Sequence, residues 1–153
     1  MANTYTQIYL HVVFSVKGRQ NLINKNWKDE LNKYICGIVN GKGQKIYAIG
    51  GVEDHIHFLV SIKPDIALSD LVRDIKANSS KWINEKGFIK GKFQWQEGFG
   101  AFSYAQSQLD TVIAYINNQE QHHLKKTFKD EYMELLQKFN IEYNDKYLFE
   151  WIE

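Results

Sequence analysis

The amino-acid sequence predicts an α+β fold, a ferredoxin-like split βαβ sandwich in which an antiparallel sheet carries helices on one face and is followed by C-terminal helices. Two observations predict it. Segments with strand-like and helix-like spacing of apolar residues follow one another in the order β-α-β-β-α-β, and two more helical segments come after them. In addition, no linker, internal repeat or low-complexity stretch divides the 153 residues, a length that suits one buried core.

The first three elements are predicted from changes in apolar spacing. Apolar and polar side chains alternate over 8–16, which is the period of a half-buried strand. Apolar residues then recur at helical spacing, with Asn26 as the predicted N-cap and Gly41 after the end of the helix. A second strand is predicted over 45–49, and Gly50-Gly51 is expected to interrupt it.

The rest of the sheet and the second helix are predicted in the same way. A third strand covers 55–62, and Pro64, the only proline, closes it. The second helix begins at Leu68 and ends near Gly87, because glycine is favoured just after a helix end. A fourth strand is predicted over 93–103.

Two helices follow the strands. Ser107 followed by Asp110 resembles a capping box and predicts the start of one helix, and Thr127 is the predicted cap of the last one. We treat 1–153 as a single domain in which 127–153 forms a C-terminal helix and a tail. The tail is expected to pack because it keeps four aromatic residues: Tyr143, Tyr147, Phe149 and Trp151.

Composition favours a protein of the reducing cytoplasm. The apolar run that starts at Ile8 is too short to span a bilayer, and the N-terminal residues do not resemble a signal peptide. Cys36 is the single cysteine, so it can form no internal disulfide and is expected to be a buried thiol. We therefore expect a cytoplasmic protein with no membrane partner.

The formal net charge of +1 does not by itself indicate a nucleic-acid partner, but the basic residues are unevenly distributed. Clustered lysine and arginine side chains bind phosphates because each neutralised phosphate releases counterions. The segment 73–92 holds six basic residues against two acidic ones: Arg73, Lys76, Lys81, Lys86, Lys90 and Lys92. On charge alone, a solvated helix face is the simpler interpretation.

The first candidate for chemistry is His55-Ile56-His57. Alternate residues of a strand point to the same face, so both imidazoles project together while Ile56 points into the core. Two imidazoles on an open sheet surface can hold a divalent ion, and Glu53 and Asp54 add negative charge nearby. The pattern H-x-H is common in strands, so on its own it is weak support for a metal site.

The second candidate lies on the predicted helix after the fourth strand. Tyr115 and Gln119 are four residues apart and therefore share one helical face, beside the apolar stripe. Alone, they also fit an ordinary rim tyrosine and a surface glutamine. His122 and His123 follow one turn later and are secondary candidates for a ligand or a DNA contact. His11 is expected to be structural or to support a ligand residue.

Together the two patterns resemble the single-tyrosine HUH transposases of small insertion sequences that move as single-stranded DNA; REP-associated tyrosine transposases are close relatives. Several segments look like that family's blocks, in its order, and cover nearly the whole chain: GGVEDHIHFLVSI, FQWQEGFGAFSY, YINNQEQHH, TFKDEYMELL and IEYNDKYLFEW. Carried over by position, the family's histidine pair falls on His55 and His57. Its nucleophile falls on Tyr115 and its third metal ligand on Gln119.

The resemblance implies an enzyme that cleaves and rejoins single-stranded DNA at hairpin-marked element ends through a 5′-phosphotyrosine. A phenol, with a pKa of about 10, is a moderate leaving group, so this link can be reversed without a nucleotide cofactor. Two nitrogens and one amide oxygen would accept Mg²⁺ or Mn²⁺. The resemblance also implies a homodimer associated with the nucleoid of a bacterial or archaeal cell. On this interpretation the segment 73–92, with Trp95, is the candidate hairpin surface.

Two other interpretations stay open. A domesticated protein of the same fold would bind hairpins without transposing, and Tyr115→Phe would then change nothing. An RNA-recognition module would need an aromatic strand of the type K/R-G-F/Y-G/A-F-V-x-F/Y, which 98–102 imitates only in part. That third interpretation also leaves His55 and His57 unexplained, so it ranks last.

Overall fold

The sheet predicted from the sequence is present in the computed structural model, which describes residues 3–20, 22–123 and 126–143, apart from the side chains of Arg19, His122 and His123. Its strands pair antiparallel in the order β2-β3-β1-β4. The strands are β1 (Tyr9–Ser15), β2 (Lys45–Val52), β3 (His55–Ser61) and β4 (Gly100–Ser103). The helices are α1 (Lys25–Gly41), α2 (Leu68–Lys86), α3 (Leu109–Asn117), α4 (Gln119–His123) and α5 (Phe128–Lys138), with short 3-10 turns at Lys17–Arg19 and Gln106–Gln108. The predicted α+β fold class is confirmed.

Helices cover both faces of this sheet. On one face, Val12 and Phe14 of β1 and Phe58 of β3 pack with α1 and α2 in the larger apolar core. On the other face, α3 packs over β2 and β3 through Val112 and Ile116, and α5 packs over β1 and β4. The sequence predicted α3 and α5 but not where they dock. Their position decides the surroundings of the two histidines.

The glycine pair of β2 does not interrupt the strand, which continues to Val52. A Cβ on Gly50 would lie 2.5 Å from the carbonyl oxygen of Ile116, the C-terminal part of α3. The glycine is therefore needed for the close approach of the α3 backbone to the sheet. The first helix also begins earlier than predicted, because Asn24 rather than Asn26 is the N-cap.

The fourth strand is shorter than predicted. Only Gly100–Ser103 pairs with β1, and before it a single bridge joins Trp95 to Val16. Asn84 of α2 explains the difference, because its side chain binds both backbone groups of Phe93, with N···Oδ1 at 2.7 Å and Nδ2···O at 3.1 Å. Those backbone groups are therefore unavailable to a strand partner.

The helices after the sheet also depart from the prediction. Ser107 does not cap α3; instead the Gln108 side chain accepts a hydrogen bond from the backbone of Ala105. Thr127 caps α5 as predicted, with Asp130 N 3.2 Å from its hydroxyl. The tail prediction lies largely outside the described residues, since only Tyr143 of its four aromatics is described, and this side chain is 45% exposed.

The structure bears on the predictions for the single cysteine and for membrane-spanning segments. Cys36 is only partly buried, because it lies beside rather than within the buried stripe of α1. Among the residues that the structure describes, no helix has the combined length and apolarity needed to cross a lipid bilayer.

Candidate metal and tyrosine site

His55 and His57 point to the same face of β3, as predicted, but this face is not open. Both imidazoles are fully buried, at 0% exposure, because α3 and α5 lie over them. The prediction of an open sheet surface is therefore wrong. The environment is nevertheless polar, since four further buried polar side chains surround the pair: His11, Asp54, Gln119 and Glu131. A buried cluster of this composition must be satisfied internally or by a bound ion.

Asp54 orients His55. Its Oδ1 lies 2.7 Å from Nδ1 of His55, and because a carboxylate only accepts, Nδ1 donates and Nε2 faces the centre of the cluster. This is the support that carboxylates give to metal-binding histidines. Burial lowers the pKa of His55, but the hydrogen bonds and charges of Asp54 and Glu131 outweigh burial and leave this pKa raised. Glu53, the other acidic candidate, is exposed.

Glu131 of α5 lies between the two imidazoles. Its Oε1 is 2.8 Å from Nε2 of His57 and 3.5 Å from Nε2 of His55, and the three ligand atoms lie within 4.8 Å of one another. Gln119 contributes a fourth donor, with Oε1 3.4 Å from Nε2 of His55. Ligands around an ion with bonds of about 2.1 Å are about 3 to 3.5 Å apart, so this set fits a divalent cation.

Glu131 is the site residue that the sequence interpretation missed. Glu131 falls in the same helical phase as the apolar stripe of α5, one turn after Phe128. The apolar residues at that spacing are Phe128, Tyr132, Leu135, Leu136 and Phe139. It is only 5% exposed. An acidic residue in the buried phase of an amphipathic helix is the signal that could have identified it.

Tyr115 reaches this cluster from α3. Its phenolic hydroxyl donates a hydrogen bond to Oε2 of Glu131, while Oε1 of the same carboxylate lies 2.8 Å from Nε2 of His57. The rings of Tyr115 and His57 have centroids 5.8 Å apart. Burial, and then the charge of Glu131, raise the pKa of Tyr115 far above its ordinary value, so the phenol holds its proton in this arrangement.

Tyr115 and Gln119 do not share one continuous helix, contrary to the prediction. α3 ends at Asn117, Asn118 follows as its C-cap, and α4 begins at Gln119. Gln119 is 2% exposed and stays close to Tyr115, because its Nε2 lies 3.4 Å from the Tyr115 carbonyl oxygen. The structure thus brings all four predicted side chains together, although the helix is broken between them.

The remaining histidines have different outcomes. His11 supports His57, as expected for a structural residue: its Nε2 is 2.7 Å from Nδ1 of His57, and the two rings stack at 4.9 Å. Burial and the neighbouring His57 lower the pKa of His11 well below its ordinary value, which keeps the ring neutral. The side chains of His122 and His123 lie outside the described residues.

Part of the basic segment lines a groove between α2 and the chain before β4, which we call the basic groove. Its basic lining residues are Lys17, Arg73, Lys76, Lys81 and Lys92. The predicted contacts Lys86 and Lys90 are exposed but do not line it. Trp95 lines it but is not the exposed aromatic that the sequence suggested, because it is 8% exposed and its indole donates to Ser79.

Three of the groove cations are already engaged. Lys17 donates to Oε1 of Gln94 at 3.3 Å. Arg73 is paired with Asp70 and Asp74, at 3.2 Å and 3.1 Å. Lys76 donates to the backbone carbonyl groups of Gln96 and Gly98, and burial lowers its pKa to about 8. Lys81 and Lys92 are exposed and form no ion pair with any described residue, so they are available to an anionic ligand.

Comparison with known proteins identifies the family. Residues 4–119 match the family described as transposase, IS200-like. The chain belongs to that family. This IS200-like transposase is 22% identical over 118 residues to the ISDra2 transposase TnpA of Deinococcus radiodurans, a match that covers 74% of this chain and 84% of that protein. The family match ends at Gln119, so Glu131 and the whole of α5 lie beyond it.

Solved structures share the fold of the transposase. A candidate transposase from Deinococcus radiodurans R1 superposes with a TM-score of 0.63 at 19% identity, covering 76% of this chain and 94% of that chain. A REP-associated tyrosine transposase bound to a REP hairpin superposes with a TM-score of 0.61 at 16% identity. This match covers 79% of this chain and 72% of that chain. At these identities the likeness concerns the fold. Family membership itself implies DNA cleavage and strand transfer.

Proposed function

We propose that this transposase cleaves and rejoins single-stranded DNA at hairpin-marked ends of its element, with Tyr115 as the nucleophile and a divalent metal at the histidine pair. The observation that carries the proposal is the Glu131 carboxylate, which contacts His57 through one oxygen and the Tyr115 hydroxyl through the other. A phenol and a set of metal ligands are therefore separated by a single side chain, as phosphoryl transfer to a tyrosine requires.

The proposed metal ligands are Nε2 of His55, Nε2 of His57, Oε1 of Glu131 and Oε1 of Gln119. A bound Mg²⁺ or Mn²⁺ would stabilise negative charge on the phosphoryl oxygens as a Lewis acid. Glu131 adds an anionic oxygen to the neutral donors predicted from the sequence, and carboxylates are preferred ligands of both ions. Asp54 would keep the Nε2 lone pair of His55 directed at the ion.

The chemistry of the chain's own residues follows from the phenol. Tyr115 Oη attacks phosphorus, the bond from phosphorus to the 3′ oxygen breaks, and the released strand carries a 3′-hydroxyl while its neighbour is held as 5′-phosphotyrosine. The proton lost by the phenol balances the one gained by the 3′ oxygen. In rejoining, a 3′-hydroxyl attacks the phosphotyrosine and Tyr115 is recovered, so neither water nor a nucleotide cofactor is consumed.

The basic groove is the proposed hairpin surface. The groove lies near the end of the sheet that carries the site, because Val16 contacts both. Val16 forms a bridge with Trp95 of the groove, and the N–H of Val16 donates to the carbonyl oxygen of Asp54 at 2.9 Å. Lys81 and Lys92 are the proposed phosphate contacts. The family resemblance also supports a homodimer that acts at the nucleoid, and we propose both on that ground.

A covalent-adduct assay tests the function. Purified protein is incubated with single-stranded oligonucleotides from the flanks of its own gene, with Mg²⁺ or with EDTA, and resolved on a denaturing gel. We expect an SDS-resistant protein–DNA band that needs Mg²⁺ and is lost in Tyr115→Phe, while hairpin binding persists. Free 5′-phosphate product without an adduct would indicate a hydrolase, and hairpin binding without cleavage under any condition would indicate a domesticated binding protein.

A further inference from the structure

A cavity of about 380 Å³ opens between α3 and α5, beside the proposed nucleophile. Tyr115 and Glu131, which share a hydrogen bond, both form part of its wall, so the cavity lies beside the proposed nucleophile. Its volume lies within the range of about 300 to 1,000 Å³ that is typical of small-molecule sites. It is large enough for one nucleobase together with its sugar.

The wall combines apolar surface with hydrogen-bonding groups. Val112 and Leu135 supply apolar surface, and Tyr104 adds a half-buried aromatic ring. The hydroxyl groups of Ser107 and Thr111 also line the cavity, and neither has a hydrogen-bond partner among the described side chains and backbone groups. A planar ring with polar edges is the ligand that such a wall suits.

The charge of the lining favours a base over a phosphate as the main occupant. Two carboxylates, Glu131 and Glu134, line the cavity together with one cation, Lys138, whose amine lies 5.4 Å from the centre of the Tyr104 ring. Glu134 is also paired with Lys126 at 2.7 Å. A phosphate would be repelled by the carboxylates, whereas the amino and imino groups of a base can donate to them. The basic groove, by contrast, is lined by five cationic residues and one acidic residue, Glu97.

We infer that this cavity binds one nucleobase of the DNA strand, next to the phosphate that Tyr115 attacks. The inference rests on the proposed function and adds a binding site that would fix the scissile linkage. A base and its phosphate are joined through one sugar, so a base held between α3 and α5 would leave its phosphate within one sugar of the wall that Tyr115 forms. Enzymes that act on extruded bases hold them in the same manner, by stacking and by hydrogen bonds.

The first experiment measures base binding without cleavage. The four deoxynucleoside 5′-monophosphates are titrated in EDTA into labelled protein, and the amide resonances of Gln108 and Thr111 are followed by NMR. We expect shifts with at least one mononucleotide and none with deoxyribose 5-phosphate, which lacks the base. Absence of shifts with all four mononucleotides, or equal shifts with the sugar phosphate, would overturn the inference.

Two variants localise the binding. Thr111→Trp places an indole in the cavity, and Ala114→Trp introduces the same side chain at an exposed position of α3 that does not line it. We expect Thr111→Trp to weaken mononucleotide binding at least roughly tenfold, as expected when a base loses its stacking surface, and Ala114→Trp to leave it unchanged. Tyr104→Ala gives a second, cavity-enlarging test with the same expected direction. Unchanged affinity in folded Thr111→Trp and Tyr104→Ala protein would contradict the site.

A strand assay connects the cavity to cleavage. Abasic sites are introduced one at a time around the cleavage position, and adduct yield is measured for the wild type and for Thr111→Trp. We expect one abasic position to lower the yield of the wild type and to have little further effect in the variant, because both changes remove the same contact. Full additivity at every position would contradict the inference. If the wild type forms no adduct, the proposed function fails, while the mononucleotide titration still decides whether the cavity binds bases.

Discussion

Tyr115 donates its phenolic hydrogen to Oε2 of Glu131, and the other oxygen of this carboxylate lies 2.8 Å from Nε2 of His57. The two residues come from different helices, Tyr115 from α3 and Glu131 from α5. The position of the proposed nucleophile therefore depends on how α5 docks against the sheet. The family match ends at Gln119, so Glu131 and the rest of α5 lie outside the matched region.

Replacing Glu131 tests whether it is a metal ligand. In Glu131→Gln the side chain keeps its size and its capacity to bond Tyr115 but loses its charge, so we expect Mn²⁺ affinity to fall at least about tenfold. Isothermal titration calorimetry measures this affinity directly. Glu134→Gln is the matched control on the same helix, because Glu134 is exposed and paired with Lys126 at 2.7 Å. Equal affinities in the two variants would exclude Glu131 as a ligand.

Asp54 is expected to act on the metal through His55. Asp54→Asn removes the charge of the carboxylate, whose Oδ1 lies 2.7 Å from Nδ1 of His55, and loss of such a partner lowers metal affinity by about 10- to 100-fold. Glu53→Gln, at the exposed neighbouring position, is expected to bind Mn²⁺ like the wild type. The comparison is made by calorimetry on folded protein. An Mn²⁺ affinity of Asp54→Asn equal to that of the wild type would show that His55 needs no support from Asp54.

The space around two glycines predicts opposite effects of adding a methyl group. Gly50 faces α3 closely, whereas Gly37 has room for a side chain. A Cβ on Gly50 would lie 2.5 Å from the Ile116 carbonyl oxygen, so Gly50→Ala should lower the free energy of unfolding by about 1–3 kcal/mol. Gly37 lies inside α1 with no atom within 4 Å of an added Cβ, so Gly37→Ala should raise it by about 0.5–1 kcal/mol. Urea denaturation measures both changes. Stabilisation by Gly50→Ala would mean that α3 does not approach the strand so closely.

The basic groove predicts which lysines contact DNA phosphates. Replacing Lys81 or Lys92 with alanine should weaken binding to all hairpins and reduce the slope of log affinity against log salt concentration by about one phosphate contact. Lys90→Ala removes an exposed charge of the same segment outside the groove and should change the slope little. Fluorescence anisotropy at several salt concentrations provides the slopes. An equal change in all three variants would indicate a diffuse charge effect.

The sequence was sufficient for the order of elements and for the choice of four side chains that the fold brings together. Strand and helix periodicity are local properties, so β1, β3 and α2 were predicted to within a residue or two, and the spacing of His55 and His57 placed both on one face. The end of α2 was predicted from Gly87, because glycine is favoured just after a helix. In the structure this glycine caps α2 in a left-handed conformation, with a φ of 69°.

What the sequence did not predict depends on contacts between distant segments. The burial of His55 follows from the docking of α3 and α5, which no local pattern encodes. Phe93 is held away from a regular strand by the side chain of Asn84, a residue of another element. Glu131 was overlooked because its role depends on the same docking, although its place in the buried phase of α5 was visible.

Mass spectrometric mapping of the DNA adduct tests the nucleophile most directly. Protein is reacted with a single-stranded element end in Mn²⁺, the DNA is digested to a short remnant, and tryptic peptides are sequenced. We predict that the nucleotide mass is carried by Tyr115 and is absent when EDTA replaces Mn²⁺. An adduct on Tyr104 or Tyr132, which lie on the same face of the sheet, or cleavage with Tyr115 unmodified throughout the reaction, would contradict the proposal.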